Sequence, residues 1–149
     1  MRITMHWLAG VTLVMLLFLV LPVAVAHHSV TAIFDSQSII TVKGTVSDVL
    51  WVNPHVYLHI VVKKDGKAEE WVVELGSMNN LDRAGWTRER AKAGDPITIT
   101  GWRGRAASNP YLGATIDPSG LPRLVRLREA EFGNGSKFTI TAQLAANLK

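Results

Sequence analysis

From residue 39 onward, apolar and polar positions alternate with a period of two over long stretches, the signature of half-buried strands. In Ile39–Val52 (IITVKGTVSDVLWV), Ile40, Val42, Gly44, Val46 and Asp48 fall on one face, and Thr41, Lys43, Thr45 and Ser47 on the other. This predicts a long first strand, with Gly44 marking a bulge or a sharp coil. Asn53-Pro54 signals a turn. Alternation resumes in His55–Lys63: Val56, Leu58, Ile60 and Val62 share one face, and His55, Tyr57, His59 and Val61 the other. Asp65-Gly66 is a hairpin turn, and Glu70–Gly76 (EWVVELG) is the returning third strand. The period then breaks. Ser77 is an N-cap for a helix over Met78–Arg83, with Gly85 as its terminator, and a short turn follows at Thr87–Ala91. Gly94-Asp95-Pro96 leads into a fourth strand, Ile97–Arg103, followed by a polar loop, Gly104–Pro110. Tyr111–Ile116 predicts a fifth strand and Asp117–Gly120 another turn, with Leu124–Leu127 or Lys137–Thr141 as an added edge.

The order β-β-β-α-β-β predicts a mainly β fold. We read it as a small five-stranded OB-like barrel with one short helix between strands 3 and 4. An open α+β sheet with the same elements is the alternative. The barrel reading places Val42, Val46, Val56, Leu58, Ile60, Val73, Ile97 and Ile99 in one core.

The N-terminal stretch has a different pattern. Arg2 precedes the apolar run Trp7–Leu21, Pro22 breaks it, and Ala24-Val25-Ala26 has the small-x-small form of a signal-peptidase site. Residues 1–26 are therefore expected to be a cleavable signal peptide, and 27–149 a single periplasmic or secreted bacterial domain. No stable membrane span would remain after cleavage. The competing reading is an uncleaved anchor, since Trp7–Ala26 is about 20 residues long.

Composition narrows the function classes. The chain has 149 residues, is 48% apolar and 19% charged, and carries a net charge of +4. This excludes collagen-like, coiled-coil and wholly disordered classes. No Lys/Arg run suggests nucleic acid as a partner. The mean hydropathy of +0.17 is raised by the leader. The absence of cysteine excludes disulfides, thiolate metal sites and thiol catalysis.

Several short motifs, in order, carry a family resemblance: Ala26-His27-His28-Ser29, Phe34-Asp35, Lys43-Gly44-Thr45-Val46, and Trp51-Val52-Asn53-Pro54-His55. Trp71, Glu74-Leu75-Gly76-Ser77, Leu81, Arg83-Ala84-Gly85-Trp86-Thr87 and Gly94-Asp95 continue the series. From about Ala26 to Gly120 the chain resembles a family of small exported bacterial proteins of unknown function, DUF6152-like. The resemblance implies a secreted single domain with no assigned activity. The chain departs from it at Asp117-Pro118-Ser119-Gly120, where the family looks to have an Asp-Gly turn, and the tail after Arg128 lies outside it.

Histidines are the residues best suited to chemistry. After cleavage the chain would begin at His27, whose α-amine and ring Nδ1 can chelate one metal ion. A second imidazole would complete a three-nitrogen set suited to Cu(II). His55 and His59 are four residues apart on a strand, about 13 Å, so they cannot share an ion. His55 belongs to the family pattern and is the expected partner, with His28 as a helper. The competing reading is a solvated end at His27-His28 and a His55 that holds a turn.

The candidate acids are Asp35, Asp48, Glu74 and Asp95. Asp95 fits a turn. Glu74 lies among Val72, Val73 and Leu75, either on the outer face or buried with a partner such as Arg83. Ser29, Ser47 and Ser77 lie in no nucleophile elbow, and no phosphate-binding Gly-rich loop is present. Of Trp51, Trp71, Trp86 and Trp102, strand-end positions point to core or plug roles. Tyr57, Trp102 and Arg103, with Arg105 nearby, are the expected exposed ligand-binding face.

These readings make the chain an exported, non-catalytic binding domain for a small ligand or an exported protein. A copper protein built on His27, or a structural accessory to an exported complex, are the alternatives.

Overall fold

Strand β1 (Phe34–Leu50) is 17 residues long, enough to serve two partners. Its first part pairs antiparallel with β4 (Pro96–Gly104), from Phe34↔Gly104 to Thr45↔Pro96. Its last part pairs with β2 (Tyr57–Lys64), from Thr45↔Val61 to Leu50↔Tyr57. This is a computed structural model, and it describes residues 30–106 and 113–140. The expected signal peptide, with His27 and His28, lies outside the described residues.

β2 turns at Asp65-Gly66 into β3 (Lys67–Glu74), and both turn residues have positive φ, as a type I′ hairpin requires. β4 pairs with β5 (Leu124–Phe132), and β5 with the short β6 (Lys137–Thr139). A parallel pairing of β3 with β5 closes the ring in the order β1-β2-β3-β5-β4-β1. With α2 (Met78–Arg83) between β3 and β4, the molecule is the OB-like barrel that the sequence predicts. A single turn of helix, α1 (Val30–Ile33), precedes β1.

All eight expected core residues occupy the barrel interior, together with Trp71, Leu75, Val125, Leu127, Ala130 and Phe132. Gly44 marks no bulge, because the register shift lies further along, between Val46 and Asp48. A Cβ at Gly44 would stand 2.5 Å from the Val61 carbonyl oxygen, so the missing side chain lets β1 and β2 approach where the sheet curls. Gly101 does the same for β4 and β5, with only 2.0 Å to the Arg126 carbonyl oxygen.

The helix follows its sequence signals. The Ser77 side chain accepts the Asn80 N–H, and Gly85, at φ +83°, ends α2. The Trp86 N–H to Leu81 carbonyl and Gly85 N–H to Asp82 carbonyl bonds form a Schellman closure. Leu81 and Trp86 then plug one end of the barrel, where the Trp86 ring meets Phe138 edge-on at 4.9 Å.

The fifth barrel strand differs from expectation. Tyr111 and Leu112 lie outside the described residues, and Gly113–Ile116 forms only an isolated bridge, Ile116↔Pro122. Leu124–Phe132 takes the place instead. Its LVRLREAEF sequence resembles a surface segment because charges interrupt it, yet Val125, Leu127, Ala130 and Phe132 all point inward.

Leu58 is fully buried at the centre of this core. Leu58→Ala is expected to cost about 2–5 kcal/mol in a denaturant titration, through lost burial and the cavity left behind.

Candidate functional site

Cross-strand register aligns Tyr57 with Glu74, Glu74 with Arg126, and Arg126 with Trp102. This row runs over the outer face of the barrel, opposite to Leu58, Val73 and Val125 inside. A second apolar cluster covers that face: Phe34, Tyr57, Val72, Ala114 and Leu124, with Val30, Ile33 and Trp102 packed against it. Helix α1 and the loop 113–123 thus form a layer outside the barrel.

Within the row, Glu74 and Arg126 are both almost fully buried, at 2% and 3% exposure. Arg126 Nη1 donates to Glu74 Oε1 and, at 2.7 Å, to the Leu75 carbonyl. His55, at the entrance to β2, places its Nδ1 3.0 Å from the same Oε1. A carboxylate can only accept, so Nδ1 carries the proton. In the neutral ring, Nε2 is then the atom with the lone pair. The His55 side chain is 22% exposed and touches the Tyr57 ring edge-on, at a centroid distance of 6.4 Å. Glu74 Oε2 is buried and has no hydrogen-bond partner among the described residues. A buried carboxylate that orients an imidazole in this way is the arrangement found behind metal-bound histidines, where it fixes tautomer and ring direction. Arg126 neutralises the Glu74 charge, so the carboxylate acts on the imidazole as an acceptor rather than as a free anion.

The sequence placed Glu74 either outward or buried with Arg83. It is buried on the outer face, and its partner is Arg126; Arg83 is exposed. The useful signal was present in the chain: single charges of opposite sign stand inside two apolar runs, VVEL and LVRL. Only the parallel β3–β5 register brings them together. His59 does not join this group. Its Nδ1 lies 2.9 Å from Oε1 of Glu70, which is 54% exposed, making a surface pair.

The expected exposed face of Tyr57, Trp102 and Arg103 is not formed. Tyr57 is buried, because α1 and the loop 113–123 cover that side of β2. Trp102 is half-buried in the same layer, with the Arg128 guanidinium 5.5 Å from its ring centroid. Arg103 reaches Asp117 at 2.7 Å and lies 4.8 Å over the Trp71 ring, so it holds the loop 113–123 to the barrel. Arg105 ties α1 down through the Thr31 and Phe34 carbonyls, at 3.0 and 3.1 Å. Among the described residues, no group of three or more His, Cys, Asp or Glu side chains converges as a metal site.

Asp117 is the most strongly perturbed of the described acids that titrate away from their ordinary values. Burial pushes its carboxyl up. Hydrogen bonds from Ser119 and Arg103 and from the backbone N–H groups of Leu121 and Ser119 outweigh this and hold it far below the usual range. A depressed folded-state value contributes stability above the unfolded value, near pH 4, that is lost as pH falls further. In urea titrations from pH 7 to pH 2, Asp117→Asn should therefore be less stable at pH 7 and lose less stability than the parent below pH 4.

Glu74→Ala strands a buried guanidinium and should cost about 3–5 kcal/mol in the same assay at pH 7. The double change Glu74→Leu with Arg126→Met removes both charges and should cost markedly less than the single one.

Comparison with known proteins adds two findings. A model of a family of unknown function, DUF6152, matches residues 16–112. The structure is similar to that of the mitochondrial single-stranded DNA binding protein Rim1 from S. cerevisiae. That likeness has a TM-score of 0.43 at 9% identity, and covers 64% of this chain and 93% of that one. No curated protein matches the sequence. No helix among the described residues is long and apolar enough to cross a membrane.

Proposed function

The chain belongs to the family of unknown function DUF6152, and from that premise we propose that it is an exported, non-catalytic OB-like domain that binds a small ligand through His55. One observation carries the reading. His55 is half-buried and its Nδ1 is engaged by a buried carboxylate, so in the neutral ring Nε2 carries the lone pair that a ligand could take. The other charged side chains of the region are struts: Arg103 with Asp117, Arg123 with Glu69, and Arg126 with Glu74. The proposed ligand is not a nucleic acid. Tyr57, Trp71 and Trp86 are buried and cannot stack on bases, and export separates the protein from such partners. The signal at Ala24-Val25-Ala26 supports a periplasmic or secreted location.

A second reading, a structural accessory to an exported complex, is favoured by the exposure of Ile39, Leu50 and Val52, at 55%, 42% and 47%. Histidine NMR signals of the protein recovered from the periplasm, followed during titration with Zn(II) and separately with inorganic phosphate, separate the two. The binding reading expects one probe to shift the His55 Nε2 signal well before that of His59. Shifts at His59 alone, or none, would remove His55 as the binding group and leave the accessory role. Intact mass of the same sample should correspond to a chain starting at His27.

A further inference from the structure

We propose that Asn134 is a modification site: its side-chain amide is lost spontaneously to the Gly135 peptide nitrogen, and the isoaspartate that results unfastens β6 from the barrel. The inference is independent of His55. Asn134-Gly135 is the one Asn-Gly step in the sequence. It lies at the tip of the β5–β6 hairpin, where residues 133–137 are all exposed. The Gly135 N–H donates to the Phe132 carbonyl at 2.8 Å, the Phe132 N–H donates to the Ser136 carbonyl at 2.9 Å, and Gly135 has φ +81°. This is a type I turn closed by a glycine bulge.

Three features of the turn favour the reaction. Gly135 has no side chain, and a Cβ built on it would meet nothing within 4 Å, so the space beside the attacking nitrogen is open. The Ser136 N–H donates to Asn134 Oδ1 at 2.9 Å. A donor therefore already faces the oxygen on which negative charge develops when the side-chain carbonyl is attacked. The attacking N–H is restrained by its bond to the Phe132 carbonyl, and bonds at an exposed hairpin tip open at low cost. The other described asparagines lack this setting. Asn53 precedes Pro54, which has no N–H. Asn79 and Asn80 lie in α2, where the next N–H groups are held by the Ser77 side chain and the Ser77 carbonyl.

The chemistry consumes one water and releases one ammonia. Hydroxide removes the Gly135 amide proton, and the nitrogen electron pair forms a bond to Asn134 Cγ. The bond from Cγ to Nδ2 breaks, and Nδ2 takes a proton from water and leaves as ammonia. Water then opens the five-membered imide. Cleavage at Cγ gives aspartate; cleavage at the main-chain carbonyl gives isoaspartate, whose backbone runs through Cβ and Cγ. The extra backbone carbon lengthens the loop between Phe132 and Ser136, so the two turn bonds lose their register. Strand β6 has three residues and pairs with Glu129–Glu131 alone. Its other anchors are the Phe138 ring on Trp86 and the Lys137 carbonyl, which accepts from Arg90 at 3.4 Å. Loosening the turn thus frees the strand that packs against the Trp86 plug.

The test incubates the whole folded protein at mildly alkaline pH and follows it by peptide mass spectrometry and amide hydrogen exchange. Of the peptides that carry the described asparagines, the one with Asn134 is expected to gain the mass difference between OH and NH2, and to split into aspartate and isoaspartate forms. In the isoaspartate form the Phe132 N–H should exchange about 2- to 10-fold faster, the equivalent of one hydrogen bond of ordinary net strength. Asn134→Asp adds the same charge without the extra carbon and should exchange like the parent. Asn134→Gln keeps the amide but moves it one methylene away from the Gly135 nitrogen, and should show no mass gain. Circular dichroism and urea midpoints verify that each variant is folded.

A mass gain in the urea-unfolded chain with none in the folded protein overturns the site, since the turn would then protect Asn134. A gain in the folded protein with unchanged exchange in the isoaspartate form, or equal acceleration in Asn134→Asp, overturns the unfastening by the lengthened backbone.

Discussion

The parallel pairing of β3 with β5 is the contact on which the rest of the molecule depends. It involves only Val72↔Leu124, Val73↔Val125 and Glu74↔Arg126. Without it, the strands form an open sheet with two free edges. With it, they form a ring whose interior is filled from every strand, and most exposed edges are removed. The same three pairs separate the faces: Val73 and Val125 go into the barrel, while Val72, Leu124, Glu74 and Arg126 go to the outer side.

That outer side is built by a different logic from the core. The interior is held by apolar side chains packed without polar partners. The outer layer combines a smaller apolar cluster with arginines that each bind an acid or a carbonyl: Arg103 to Asp117, Arg105 to the carbonyls around α1, Arg123 to Glu69, and Arg126 to Glu74. Short connecting segments bury too little apolar surface to be held by packing alone. Directional guanidinium contacts hold them in place instead. Much of the chain's positive charge in this region is thereby engaged internally and does not form an open basic surface.

His55 stands where these two systems meet. Its ring contacts Tyr57 of the apolar layer and Glu74 of the ionic row. A free imidazole on a turn would rotate and exchange tautomers. Here the buried carboxylate selects one tautomer, and the neighbouring aromatic ring limits the orientation. This difference separates His55 from His59, whose acidic partner is open to water.

How far the chain alone could be read follows from the range of each interaction. Period-two alternation placed strands one to four, the Asp65-Gly66 turn and the eight core residues, because a strand's inward set depends on its own sequence once one face is buried. The Ser77 cap and Gly85 stop were equally local, since each acts within a single turn of backbone. His55 could be singled out as a residue type in a pattern, but its carboxylate could not be found. Glu74 and Arg126 become neighbours only through the β3–β5 register, and registers between distant strands are set by the whole ring. For the same reason the fifth strand is expected at Tyr111–Ile116, and Leu124–Leu127 only as one option for an added edge: the charged positions of β5 look like surface until the barrel supplies a buried acid for Arg126. Tyr57 was misplaced as exposed because alternation identifies the face opposite the core, and only the tertiary structure lays α1 and the loop 113–123 over it.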